Sequence, residues 1–242
     1  MVFIPLSDDN PLRSVRFQWV TVGLIAANVL VFLLQHVPEG EAAIASFALI
    51  PAELFNVRFI GGGAMGTDQT VDVPEGLTLI TYQFLHGDIV HLFSNMLFLW
   101  VFGDNIEDAM GHIKFLIFYL LSGIAGGLAH AIMQPESGLP LIGASGAVAG
   151  VIGAYLVLHP RVRVWVLAFR IIPLRISAAW VLGIWAATQF VMIALAPQDQ
   201  VVWWAHVGGL IAGAVLVVFL RRPGVPLFDR GLASVPAIPP PR

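Results

Sequence analysis

Six stretches of this chain contain no Asp, Glu, Lys or Arg: residues 17–38, 89–103, 115–135, 137–160, 176–198 and 200–220. No other feature narrows the fold so far. A helix needs about 20 consecutive apolar residues to cross about 30 Å of hydrocarbon, and most of the runs approach or exceed that length. The second is short, but an apolar approach over residues 77–87 precedes it. In hydrocarbon every backbone polar group must be satisfied internally, so only helices and closed barrels span. The runs are continuous and lack the two-residue alternation of a barrel strand. The expected fold class is therefore all-α: a polytopic membrane protein built as a six-transmembrane-helix bundle.

Composition closes off the alternatives. The 242 residues are 58% hydrophobic and 11% charged, where a soluble domain carries about a quarter charged residues. With 12 Lys and Arg against 15 Asp and Glu, the net charge is −3, so there is no basic footprint for nucleic acid. The absence of cysteine excludes disulfides, thiol catalysis and cysteine-ligated metal within this chain.

Basic residues sort the loops. Arg13 and Arg16 precede the first run, Lys114 separates the second from the third, and Arg161, Arg163, Arg170 and Arg175 separate the fourth from the fifth. Arg221, Arg222, Arg230 and Arg242 follow the sixth. Eleven of the twelve basic residues thus share one side, and only Arg58 lies on the other. By the positive-inside rule the expectation is an integral multi-pass protein with both termini cytoplasmic. The first run is too long for a signal-peptide core and no small-residue cleavage site follows it, so it is expected to remain. Residues 1–16 then form a cytoplasmic segment, 17–222 the embedded domain with an outer loop at 39–76, and 223–242 a tail. That tail holds six of the sixteen prolines and is expected to be disordered or an extended linker.

Polar groups inside spans are functional candidates by default. His36, His86, His112 and His159 fall at span ends, where an imidazole reaches water, and His130 is near one. Asn28 and Gln189 suit hydrogen bonds between helices. Ser145, His206, His91 and Asn95 resist these readings. Counting from the cytoplasmic anchor of each helix at about 1.5 Å per residue places all four roughly 18–24 Å above the inner edge, in the outer half of the core. Three helices bring polar groups to one level, where there is no Asp or Glu.

Their chemistry is complementary. Ser145 lies in Gly143-Ala144-Ser145-Gly146, near a helix start whose unpaired N–H groups favour negative charge. A serine needs a base to become a nucleophile, and His206 stands at matching depth. His91 and Asn95, four residues apart, share a helix face and can donate to an oxyanion. Gly146 and Gly150, like Gly209 and Gly213, form small-xxx-small pairs that let helices four and six touch. Taken singly each feature has an ordinary reading: a membrane serine commonly bonds its own backbone, and such glycine pairs occur in any bundle.

At these residues the sequence resembles the rhomboid family of intramembrane serine proteases. The matching pieces are His91-Leu-Phe-Ser-Asn95, Gly143-Ala-Ser145-Gly146 and Ala205-His206-Val-Gly-Gly209-Leu-Ile-Ala-Gly213, with Phe84-Leu85-His86-Gly87 resembling the bacterial branch. The likeness covers roughly residues 18–220. It implies a six-helix rhomboid-like core, Ser145 as nucleophile, His206 as general base and acid, and an oxyanion hole from His91, Asn95 and the Ser145 backbone. Gly143 would keep the loop before the serine tight, and Gly146, Gly209 and Gly213 would support the motif. A short fourth span would begin in a water-filled cavity. The fifth span, with Trp185, Gln189 and Phe190, would border the lateral access for substrate. The implied partners are single-span or other transmembrane protein substrates and the lipid bilayer, in a bacterial cell membrane, with no cofactor, metal or nucleic acid.

Two departures stand out. Family members often carry an aromatic residue four positions after the serine that stacks on the histidine; this chain has Ala149, so His206 must be held otherwise. A Trp-Arg pair common in the outer loop is absent. Three other readings compete: another kind of intramembrane protease, zinc or aspartyl; a transporter or channel; and a non-catalytic protein of the same fold. A zinc protease needs His-Glu-x-x-His, which the chain lacks. An aspartyl protease needs two intramembrane aspartates, but Asp104 and Asp108 sit at the cytoplasmic edge of one helix as anchors. A transporter more often shows repeated halves, and none is visible. A non-catalytic rhomboid-like protein that binds membrane helices remains the nearest alternative.

Overall fold

A computed structural model describes residues 3–37, 44–55, 73–169, 171–195 and 203–229. Arg58, most of the 39–76 loop and the end of the tail from residue 230 lie outside these. Strand β1 (Phe3–Asp8) is followed by helices α1 (Trp19–Gln35), α2 (Pro51–Leu54) and α3 (Glu75–Thr81) and a 3₁₀ turn at Tyr82–Phe84. Then come α4 (Ile89–Met110), α5 (His112–Met133) and α6 (Ser145–Leu158). Strands β2 (Arg163–Ala168) and β3 (Ile172–Ser177) lead to α7 (Ala178–Leu195) and α8 (Trp203–Leu220).

Four of the helices, α4, α5, α7 and α8, are long and apolar enough to cross a membrane; α1, with 17 residues, and α6, with 14, are apolar but shorter. The fourth charge-free run therefore overstates its helix. Residues 137–144 are apolar but not helical, and at about 1.5 Å per residue α6 is only about 21 Å long. Residue composition marks what hydrocarbon tolerates, not where a helix begins.

Glycines draw the central helices together. A Cβ built on Gly209 would stand 1.9 Å from the carbonyl oxygen of Gly146, and one on Gly213 2.0 Å from that of Gly150. Gly153 meets the Leu210 carbonyl in the same way, and Gly126 of α5 meets that of Ala205. Water does not drive helices together inside a bilayer, so close backbone approach and its dispersion contacts carry the association. Tyr119, Phe115 and Phe118 of α5 and Tyr155 of α6 fill the remaining core and are fully buried.

The opposite end of the bundle from Ser145 is not purely helical, which corrects the all-α expectation. β1, β2 and β3 form an antiparallel sheet in that order, with Phe3 opposite Ala168 and Val164 opposite Ile176. Arg175 Nε donates to Asp9 at 2.7 Å. The sheet rests on α4 and α6 through Asp8, whose carboxylate accepts from the Tyr155 hydroxyl and, at 3.0 Å, from Asn105 Nδ2. Burial raises the Asp8 carboxyl to about 6 despite these bonds.

Carboxylates of α4 also organise the N-terminal segment. Asp108 accepts from the amides of Arg13, Ser14 and Val15, and Glu107 from those of Val20 and Thr21 and from the Thr21 hydroxyl. Glu107 thereby satisfies the first turn of α1, which has no capping side chain of its own. The connection from α4 to α5 is the single residue Gly111, at φ +85, a conformation glycine adopts freely. The start of the proline-rich tail is ordered against the bundle: Phe228 and Asp229 amides donate to the Val157 and Leu158 carbonyls at 2.8 Å. The Asp229 carboxylate meets His159 Nδ1 at 3.1 Å. His159 and His86, expected to reach water, are buried instead.

Candidate active site

At the other end, α4, α6 and α8 begin close together. The chain entering α6 is fixed by a short two-stranded contact, in which the Leu49 amide donates to the Leu141 carbonyl at 3.1 Å and the Leu141 amide to the Leu49 carbonyl at 2.8 Å. Next, the Gly143 amide donates to the Tyr82 carbonyl at 2.9 Å. Gly143 has φ +127, and a Cβ there would lie 2.8 Å from His91 Nε2. Only glycine satisfies both constraints. Ala144 then caps α6 and Ser145 is its first residue, so the Ser145 amide is among those without a helical partner.

Ser145, His91, Asn95 and His206 all line one cavity of about 420 Å³, together with Ser94, Phe98, Pro140, Ile142, Val148 and Trp185. The four residues singled out by depth are thus brought together. Gly143 shapes the loop before Ser145, Gly146 sits in the first turn of α6, and Gly209 and Gly213 hold α8 against α6.

Three of the cavity residues, Asp88, Asn95 and His206, have a defined hydrogen-bond partner. Asp88 caps α4, its Oδ1 accepting from the Val90 and His91 amides at 2.7 and 2.8 Å. These bonds, that from His91 foremost, hold its carboxyl below the usual range. A carboxylate therefore stands at the rim of the cavity, three residues before His91 and committed to helix capping. Asn95 Nδ2 lies 3.2 Å from His86 Nε2. His86 is locked in turn by a reciprocal pair with α1: its amide donates to Gln35 Oε1, and Gln35 Nε2 donates to the His86 carbonyl, both at 3.1 Å.

His206, in the first turn and a half of α8, has Nδ1 at 2.7 Å from Gln189 Oε1 of α7. The rings of Trp185 and Trp203 stand 5.8 and 6.2 Å from it, centroid to centroid. Gln189 does tie one helix to another, as its position in a span suggests, but that its partner is His206 is not evident from the sequence, and His86 is buried rather than facing water. The i and i+4 spacing of Trp185 and Gln189, which puts them on one face of α7, was the available signal. On the α4 side, Phe98 approaches Trp185 with centroids 6.5 Å apart.

Chemically the arrangement offers a hydroxyl, an imidazole, an amide side chain and an unpaired helix N-terminus around one largely apolar pocket. Among the described residues no cluster of His, Asp or Glu suits a metal ion.

Comparison with known proteins gives a consistent result. A family model described as a Rhomboid domain matches residues 74–223. RHOMBOID-like protein 6, mitochondrial, of Arabidopsis thaliana is 32% identical over 162 residues, covering 66% of this chain and 49% of that protein. RHOMBOID-like protein 12, mitochondrial, of the same plant is 28% identical over 228 residues, covering 87% of this chain and 61% of that protein. Rhomboid protease GluP of Bacillus subtilis is 30% identical over 198 residues, covering 78% of this chain and 36% of that protein. The chain spans about half the length of these relatives.

Proposed function

The chain belongs to the rhomboid family, and on that premise we propose that it is an intramembrane serine endopeptidase that hydrolyses peptide bonds in or near transmembrane segments. The observation that carries this reading is the placement of Ser145, at the N-terminus of α6, and His206, on α8, around one cavity.

In the proposed reaction His206 Nε2 takes the proton from Ser145 Oγ as the oxygen attacks the substrate carbonyl carbon. The carbonyl oxygen gains the negative charge and is stabilised by the Ser145 amide, Asn95 Nδ2 and the His91 ring. The C–N bond then breaks, and the imidazolium returns its proton to the departing amine. This leaves an ester on Ser145. A water molecule, deprotonated by His206, attacks the ester carbonyl; the C–O bond breaks as the imidazolium returns the proton to Ser145 Oγ, which releases the carboxylic acid and restores the free serine. Among the described residues no carboxylate meets the His206 ring, whose Nδ1 faces Gln189 Oε1 instead.

The substrate is a transmembrane protein, and its helix must loosen before a carbonyl is exposed for attack. Access runs laterally between α4 and α7, past Phe98 and Trp185. The two shorter apolar helices, α1 and α6, complete a six-span domain. Both termini and the sheet end face the cytoplasm, in keeping with eleven of twelve basic residues on that side, and the membrane is a bacterial cell membrane. The test is cleavage of a single-span substrate by purified protein in liposomes, with product termini mapped, beside labelling by a serine-reactive probe. Cleavage and labelling that both depend on Ser145 support the protease. A folded protein that binds the substrate without cutting or labelling is the non-catalytic relative instead.

A further inference from the structure

We propose that Gln189 is the positioning residue that fixes the tautomer and orientation of His206, an inference that rests on the catalytic reading above. The argument begins with the amide nitrogen of Gln189. Its Nε2 donates to the Trp185 carbonyl at 2.8 Å and to the Thr188 hydroxyl oxygen at 3.1 Å. A backbone carbonyl can only accept, so this end of the amide is the NH₂ group. The other end, Oε1, is therefore an acceptor, and it is the atom 2.7 Å from His206 Nδ1. Two acceptors cannot share a bond, so Nδ1 carries the hydrogen. The neutral ring then has its lone pair on Nε2, the form a general base requires.

Burial makes the restraint strong. Gln189 is 3% exposed, and a polar contact in such surroundings has no competing water. The amide is gripped by its own helix at both nitrogen bonds, so its oxygen is presented to His206 in one orientation. Trp185 and Trp203 limit rotation of the ring from two sides. Ala149, fully buried on α6, has only a methyl to offer. Gln189 itself does not line the cavity, so it acts through His206 and not on substrate.

The experiment compares Gln189→Met, which keeps side-chain length and removes the acceptor, with Gln189→Glu, which keeps an oxygen at the same reach. Two readouts are taken. In protein bearing Ser145→Ala, ¹⁵N shifts of the His206 ring report the tautomer without need for activity. The expected result is a protonated Nδ1 with Gln189 and with Gln189→Glu, and a mixture of tautomers with Gln189→Met. In active protein Gln189→Met is expected to lower kcat at least about tenfold with KM changed less than about twofold, and Gln189→Glu to recover most of the loss. A single Nδ1–H tautomer retained in Gln189→Met, or an unchanged kcat, overturns the assignment. If the tautomer responds as expected while the wild-type protein cuts nothing, the positioning role stands and the protease reading falls.

Discussion

Gly209 of α8 faces Gly146 of α6 with no room for a single additional carbon: a Cβ on Gly209 would lie 1.9 Å from the Gly146 carbonyl oxygen. The obstacle is backbone, which cannot rotate away. Gly146 follows Ser145 directly and Gly209 lies three residues after His206, so this contact sets the spacing of the two helices that carry the site.

Substitution at this seam should be felt throughout the bundle. Gly209→Ala and Gly213→Ala are each expected to destabilise by at least about 1–3 kcal/mol, the usual range for overpacking. Gly183→Ala on α7, whose added Cβ meets nothing within 4 Å, is expected to be neutral or to stabilise by about 0.5–1 kcal/mol. Thermal unfolding in one detergent compares the three. Equal stability of all three variants would contradict the close approach.

Ser145→Ala and His206→Ala are each expected to abolish cleavage of a reconstituted single-span substrate while leaving the unfolding temperature within a few degrees of wild type. The unfolding measurement separates lost chemistry from a lost fold. Full activity in either variant would end the dyad assignment.

Asn95→Ala is expected to reduce kcat by about 100- to 1,000-fold, the scale of one oxyanion donor, and so to cost less than Ser145→Ala. His86→Ala removes the partner of Asn95 Nδ2 and is expected to give a smaller loss in the same direction. Single-turnover kinetics on both variants checks the order. A His86→Ala loss exceeding that of Asn95→Ala would show that His86 does more than orient Asn95.

Asp8 links stability to pH at the sheet end. Its carboxyl is raised from 3.8 to about 6 in the folded protein by burial, so the folded state holds a proton that the unfolded chain has released. Between about pH 4 and 6 the folded state binds more protons, and stability therefore falls as pH rises through that window. Asp8→Asn removes the titrating group and is expected to flatten that part of the curve. Thermal unfolding from pH 4 to 7 provides the measurement, and a slope unchanged in Asp8→Asn would remove Asp8 as its source.

Much of this was legible before the fold was known, and for physical reasons. Charge-free runs report where a chain tolerates hydrocarbon, which located the helices. Counting along them put Ser145, His206, His91 and Asn95 at one level, and the structure places all four around one cavity. The same signal failed at residues 137–144, because a loop without charged residues looks like part of a span whether or not it is helical. The first strand was missed because it pairs across more than 150 positions, Phe3 with Ala168, and no local window contains both partners; the β2–β3 hairpin is local, but it was read as a basic loop between spans. Asp88 escaped attention for a related reason: its role depends on the start of α4, not on its distance from any anchor.

In the proposed dyad α8, the last of the described helices, supplies the imidazole, while the hydroxyl arrives on α6, 61 positions earlier. During synthesis the nascent protein thus exposes an inert alcohol to its surroundings until residue 206 has been made and α8 has docked along the glycine seam. On that proposal the docking of α8 and the onset of reactivity are a single event, and a product that stops short of α8 is expected to be chemically silent.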